Sequence, residues 1–290
     1  MGKGQVALIT GASRGAGAGI ARALGELGYT VYVTGRSVAV SEGRAWDGSL
    51  LPGTIVETAR AVTDRGGKGI AIACDHAKDA QVAKVFEQIA DEQGRLDMLI
   101  NNAAYMHPQL IEQKPFWEKD LGAAGILDVG LRSAYVASWH AARMMVPQGS
   151  GLIGFTSSFG ASCYMHGAAY GAQKAGIDKF AHDMEHDLRG TGVVAVSLWL
   201  GPQVTERAKG AMKANPEDYE KFQAYAENPE FSGFIFDAIS KADNRDELSG
   251  QVLIGAEIAK ILGITDSGHE RPSYRDMLGG PPAKNPAAIY

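Results

Sequence analysis

Tyr170 and Lys174, in Tyr-Gly-Ala-Gln-Lys, carry the strongest chemical signal in the chain. At i and i+4 on a helix their side chains share one face, so a phenol and an ammonium can meet a common ligand. A free phenol has a pKa near 10, and proton transfer at neutral pH needs it lowered by about 2 to 3 units. A neighbouring ammonium supplies part of that shift by stabilising phenolate. Upstream, Ser157 and Ser158 follow an apolar run, where a hydroxyl can hydrogen-bond a substrate oxygen as charge develops on it. Adjacent strand residues point to opposite faces, so one of the two serves.

A second group of residues suits a phosphate. The apolar run Gln5–Thr10 leads into Gly11, Ala12, Ser13, Arg14, Gly15, Ala16 and Gly17 and then into a helical pattern. Glycines in such a turn let backbone N–H groups approach a pyrophosphate, and the helix N-terminus adds partial positive charge. The chain is rich in them, with 37 glycines in 290 residues, well above the usual share of about 7%. After the second apolar run comes Val33-Thr34-Gly35-Arg36-Ser37. An acidic residue at that strand end would bind a ribose 2′-hydroxyl; Arg36 with Ser37 and Arg14 offers charge-assisted donors to a 2′-phosphate instead. NADP(H) is therefore expected over NAD(H).

Elements that would position these groups follow from periodicity. Apolar runs at Gln5–Thr10, Thr30–Thr34, Gly69–Cys74, Leu96–Asn101, Gly151–Thr156, Val193–Trp199 and Gln251–Ile254 alternate with helical patterns near 15–27, 54–65, 79–93, 117–146 and 168–189. That alternation predicts an α/β fold with a Rossmann-type, doubly wound, parallel seven-stranded sheet. A single catalytic domain over 1–268 is expected, with a surface tail over 269–290. Ser37–Gly53 reads as an inserted loop. Thr205–Gly250 reads as a lid over the substrate, with Met212, Tyr219, Phe222 and Tyr225 on its apolar face and Lys209, Lys213, Glu217 and Glu220 solvated.

The order of the motifs is more specific than any one of them. Thr10-Gly11-x-x-x-Gly15-x-Gly17, Asn101-Asn102-Ala103-Ala104, Ser157-Ser158 and Tyr170-x-x-x-Lys174 together resemble the short-chain dehydrogenase/reductase family over roughly Gln5 to Gly263. Gly130-Leu131-Arg132, Ser157-Ser158-x-Gly160 and Ser249-Gly250-Gln251-Val252-Leu253 look most like its dehydrogenase/reductase member 1 branch. The resemblance implies Tyr170 as proton donor, Lys174 also on the nicotinamide ribose, and Ser157 as the catalytic serine by its spacing from Tyr170. It places Asp75 and His76 near adenine, Asn101 and Ala103 near the adenosine ribose, Gly201 beside the nicotinamide and Thr205 on the carboxamide. Where the family's fourth catalytic residue is an Asn, this chain has Gly130. Its carbonyl can still hold a water in a proton relay, and on that reading Gly130→Asn is tolerated.

Other features exclude or discount functions. A net charge of −5 offers no general basic field for nucleic acid. Cys74 and Cys163 are too few for a disulfide framework, and no apolar run reaches the roughly 18 residues of a membrane span. With no leader pattern at its start, the chain is expected to be cytoplasmic. His182 and His186 have helical ligand spacing but no third ligand, so no metal is expected. Phe116-Trp117 and Tyr164-Met165 are candidates for an apolar substrate wall. The expected function is hydride transfer between NADPH and an apolar ketone or aldehyde, in a homodimer or homotetramer. A dinucleotide-binding sensor without turnover is the alternative, and Gly130 motivates it.

Overall fold

The computed structural model describes residues 4–39, 50–206, 208–209, 225–283, 285, 287 and 289. Its centre is a parallel sheet of β1 (Val6–Ile9), β2 (Thr30–Gly35), β3 (Lys68–Ala73), β4 (Met98–Asn101), β5 (Gly151–Ser157), β6 (Val193–Trp199) and β7 (Val252–Ile254). The strand order is β3-β2-β1-β4-β5-β6-β7. It reverses between β1 and β4, and such a switch point opens a crevice at the carboxyl ends of the strands. The inner strands β1, β4, β5 and β6 are buried throughout. Covered on both faces, they read in sequence as continuous apolar runs.

Helices α1 (Gly15–Glu26), α2 (Ile55–Asp64), α3 (Asp79–Gln93), α4 (Ser133–Gln148) and α5 (Ala168–Leu188) cover the sheet. One face packs Ile20, Leu24 and Val62 on Val31, Val33 and Ile100. The other packs Phe86, Ile89, Met145 and Ile177 on Leu8, Leu99 and Phe155. The architecture is thus the doubly wound, Rossmann-like single domain expected from the alternation.

The long helix predicted over 117–146 is not continuous. Short turns at Phe116–Glu118 and Leu121–Ala124 and a wide turn at Leu127–Arg132 precede α4. The Asp120 carboxylate accepts the Gly122 N–H at 2.7 Å, and the Tyr105 N–H donates to the Val129 carbonyl at 2.7 Å. That second bond ties the chain to the segment after β4, with Val129 at φ −106° and Gly130 at φ +146°. Gly130→Asn, expected to be tolerated, is therefore strained: positive φ suits glycine, and an added Cβ would lie 3.1 Å from Gln173 Cγ.

Part of the expected lid is core. Helix α6 (Phe231–Lys241) buries Phe231, Ile235, Phe236 and Ile239 against α1 and the sheet. Met212, Lys213, Glu217, Tyr219, Glu220 and Phe222 lie outside the described residues, as do 40–49 of the Ser37–Gly53 insert. The expected surface tail is docked where it begins. Tyr274 is buried, 4.5 Å from the Tyr225 ring and 5.8 Å from that of Phe159, and Arg275 pairs with Glu257 at 2.7 Å. Among the described residues no helix is long and apolar enough to cross a membrane.

Candidate active site

A cleft of about 670 Å³ opens at the carboxyl ends of the strands. At one end it is lined by Gly11, Ser13, Arg14, Gly15 and Ala16, with Arg36 and Ser37 after β2. Asp75 and His76 after β3 and Ala103 after β4 follow. Ser157, Ser158, Tyr170, Lys174, Gly201 and Thr205 line the other end.

The first end is built mainly from backbone. Gly11 has φ +65°, and a Cβ there would lie 2.6 Å from Ala103 Cα, so the turns after β1 and β4 touch. Two expected cofactor residues do not line the cleft. Gly17 is a packing position, where a Cβ would collide with the Asn102 amide and the Gly11 carbonyl. Asn101 is buried and donates to Ser138 Oγ at 3.0 Å. Strand alternation turns its neighbour inward instead. Asn102 lines the cleft and donates to the Thr10 and Gly11 carbonyls, each at 3.0 Å.

Arg14 is committed to the wall. Its guanidinium donates to the carbonyls of Pro52 (3.0 Å) and Gly53 (2.7 Å) and to Ser37 Oγ (3.3 Å). Burial holds it below the ordinary arginine range, and Glu206 opposes that shift. Arg36 stays exposed at the rim. Two observations fit a nucleotide. The Gly15 N–H at the start of α1 donates to the Glu206 carboxylate at 3.3 Å, so this helix end already accepts an anionic oxygen. His76 Nε2 meets Thr34 Oγ1 at 2.9 Å, while its Nδ1 is buried with no partner among the described residues. Burial pushes the ring down to about 4 and keeps it neutral near pH 7.

Side chains build the second end. Helix α5 presents Tyr170, Lys174 and Asp178 at successive i+4 steps. Ser158 Oγ and Tyr170 Oη are 2.9 Å apart. Ser157, the serine expected from spacing, turns its hydroxyl to the Lys174 carbonyl at 3.5 Å. Both serines border the cleft, but the pleat brings Ser158 to the phenol. Lys174 Nζ donates to the Thr156 carbonyl at 3.0 Å and sits 5.5 Å from the Tyr170 ring centre. Burial pushes Lys174 down to about 8, against the pull of Asp178.

Burial also raises Tyr170, with the Ser158 hydrogen bond opposing and the Cys163 thiol adding to the rise. The phenol of this site therefore carries its proton at neutral pH, the form a proton donor needs. Lowering by Lys174, expected from the sequence, is not the governing effect. The Gly130 carbonyl accepts the Gln173 amide at 3.0 Å, which occupies one of its two acceptor positions.

Sequence reasoning missed Asp178. Its carboxylate accepts Ser197 Oγ at 2.6 Å and Trp199 Nε1 at 2.8 Å, and it is raised by burial against those bonds, the Ser157 hydroxyl and Lys174. Its i+4 spacing from Lys174 was a usable signal. The expected apolar wall also differs. Phe116 and Trp117 stack edge to face at 5.3 Å and are largely exposed, as is Tyr164. Tyr105, Met106 and Pro108 line the cleft instead.

The fold and this cleft are those of a dinucleotide-dependent oxidoreductase, and the chain belongs to the short-chain dehydrogenase/reductase family: the family model described as short chain dehydrogenase matches residues 5–216. It falls in the dehydrogenase/reductase member 1 branch. The mouse protein "Dehydrogenase/reductase SDR family member 1" is 40% identical over 276 residues, covering 91% of this chain and 83% of the relative. Its human counterpart is 38% identical over 275 residues with the same coverage. A solved structure assigned as an NAD(P)-dependent gluconate 5-dehydrogenase of Beutenbergia cavernae, with NADP at low occupancy, is 28% identical. It superposes with a TM-score of 0.70 over 87% of this chain and 95% of that one. The protein is therefore an NAD(P)-dependent enzyme acting on CH–OH groups and their carbonyl counterparts.

Proposed function

We propose that the protein is an NADP(H)-dependent carbonyl reductase that also runs as an alcohol dehydrogenase, acting on apolar ketones or aldehydes. The observation that carries this reading is the pairing of Ser158 and Tyr170 at 2.9 Å, with Lys174 beside the phenol, on the wall of the nucleotide-sized cleft. When bound, the dinucleotide supplies or accepts the hydride. Tyr170 Oη gives its proton to the substrate oxygen in reduction and takes one back in oxidation. Ser158 Oγ donates a hydrogen bond to the same oxygen and orients it, a role that moves here from Ser157. Lys174, held on the Thr156 carbonyl, keeps positive charge near Tyr170 Oη and offers donors to a ribose.

At the other end, Gly11, Ser13, Gly15 and Ala16 would hold the pyrophosphate, with Arg14 shaping the wall. Arg36 and Ser37 would take the 2′-phosphate. Asp75, His76 and Ala103 would face the adenosine, and Gly201 and Thr205 the nicotinamide. Tyr105, Met106, Pro108 and Leu200 on the cleft wall support an apolar substrate, because burying unmatched hydroxyls costs free energy. The same reading includes a cytoplasmic location; it also includes a homodimer or homotetramer, which the exposed Tyr135 and Trp139 on α4 support. Gly130, with no side chain to serve the relay, favours the second reading, a dinucleotide-binding sensor. A panel of carbonyl compounds with NADPH, followed by loss of absorbance, tests the two. Turnover of apolar ketones supports the reductase, and tight binding without turnover of any member supports the sensor.

A further inference from the structure

Glu227 is a buried carboxylate that the chemistry above does not use. One oxygen, Oε2, accepts the Gly201 N–H at 3.1 Å and Gln203 Nε2 at 2.6 Å. The backbones run together as well: the Val204 N–H donates to the Glu227 carbonyl at 2.9 Å, and the Glu227 N–H donates to the Pro202 carbonyl at 2.8 Å. The other oxygen fills the space where a Gly201 Cβ would stand, 2.5 Å away. Glu227 thus grips the segment after β6 that lines the cleft through Gly201, Gln203 and Thr205. The far end of the Gln203 amide, Oε1, is buried and has no partner among the described residues.

An ionised carboxylate only accepts hydrogen bonds, so it holds the NH₂ end of the Gln203 amide and leaves the oxygen for another donor. A protonated carboxyl carries an O–H that needs an acceptor. A half-turn of the amide brings Oε1 to it and sends the NH₂ end the other way, within the same volume, at the cost of the bond that Nε2 donates to the Gly201 carbonyl at 3.3 Å. We propose that Glu227 is a positioning residue whose proton decides whether Gln203 offers the bound dinucleotide an acceptor or a donor, with binding tightest when Glu227 is ionised. The inference rests on the reading of the cleft as the dinucleotide site, and its natural counterpart is the N–H₂ of an amide-bearing cofactor.

The surroundings put this proton in a working range. Burial and the nearby Asp266 carboxylate push Glu227 up to about 8, while the Gly201 N–H, the Gln203 amide and the Arg271 guanidinium pull the other way. Asp266 is itself engaged, by the Asn228 side-chain amide at 2.7 Å and by Arg271 at 2.8 Å. The phenol of Tyr274, whose ring packs on that of Tyr225, also feels the Glu227 charge. Lys174 loses its proton near the same pH with the opposite consequence. Binding should therefore show an acid limb from Glu227 and a separate alkaline limb.

The test is the dissociation constant of NADPH, read by quenching of protein fluorescence between pH 6.5 and 9.5. Affinity should fall about fivefold on the acid side, the worth of one neutral hydrogen bond. Glu227→Gln should flatten that limb and leave the alkaline one. The 3-acetylpyridine analogue of NADPH, in which a methyl replaces the amide nitrogen, should show no acid limb with the unmodified protein. If Glu227→Gln does not fold, Gln203→Leu keeps the carboxylate, removes the amide and should also lose the limb. An unchanged acid limb in these variants, or an identical one with the analogue, overturns the inference alone. Failure of both NADPH and NADH to bind at any pH overturns the reading of the cleft and this inference with it.

Discussion

The two ends of the cleft are held by different parts of the chain. At the phosphate end, backbone meets backbone: the turn at Gly11 lies against Ala103, and Asn102 laces the carbonyls of Thr10 and Gly11 together. At the catalytic end, side chains hold side chains, in the Ser158–Tyr170 pair and the Asp178 cluster with Ser197 and Trp199. The first end leaves no room for added volume at Gly11 or Gly17. The second depends on polar side chains keeping their partners, above all Tyr170, Ser158 and Asp178. Function should accordingly fail in different ways at the two ends.

The largest expected effect is at the catalytic end. Tyr170→Phe keeps the ring and removes the donor, so turnover should fall by about 10²-fold or more while cofactor binding survives. Steady-state rates beside a binding titration check this, and a fully active variant would sink the mechanism. Next come the paired serines. Ser158→Ala should cost about 10²-fold in kcat, the worth of one donor to a developing oxyanion, and Ser157→Ala much less. The reverse ranking would return the role to Ser157.

At the phosphate end, Arg36→Asp should move cofactor preference from NADPH toward NADH by at least about tenfold, or about 1.4 kcal/mol, in paired binding titrations. Equal affinities in the unmodified protein would remove the assignment of Arg36. A pH effect belongs to Lys174. Its side chain, pushed down to about 8, loses charge above that pH, so kcat/KM should fall on the alkaline side. The linked stability has the other sign. The folded pKa lies below the unfolded value of 10.5, so the unfolded chain binds more protons between the two, and this group's contribution to stability rises with pH through that window. Between the ends the expected effect is on stability alone. Gly130→Asn should lower stability by about 1 to 3 kcal/mol through its positive φ, seen as a drop in Tm.

Most of the fold was legible because the inner strands are buried on both faces, and a buried strand is written as an unbroken apolar run. The helix expected over 117–146 failed because its apolar spacing continues through Gly122, Gly125 and Gly130, where tertiary bonds such as Tyr105 to Val129 outweigh local preference. At the site, Tyr170 and Lys174 could be read from helical spacing. The choice between neighbours could not: Ser157 against Ser158 and Asn101 against Asn102 each depend on which way a strand's last residues are pleated. A one-residue shift there turns a side chain to the other face. Glu227 had no local signal, since its partners at Gly201 and Gln203 come from a distant part of the chain.

Helix α1 has a consequence for how such an enzyme can change over time. Thr205 rests against Gly15, and Pro229 is pressed on Gly19, where a Cβ would strike it. Those two glycines are one turn apart, about 6 Å along the axis. The chain that leaves at Thr205 and returns at Pro229 therefore has both ends clamped to nearly the same place on a rigid element. Closing a loop between fixed ends costs only about 0.6 kcal/mol more for each doubling of its length. Changes in the length of the intervening sequence then need not disturb α6, provided that Glu206, Tyr225 and Glu227 keep their contacts with Gly15, Tyr274 and Gly201. The helix serves as a docking bar that fixes where this stretch leaves the fold and where it returns.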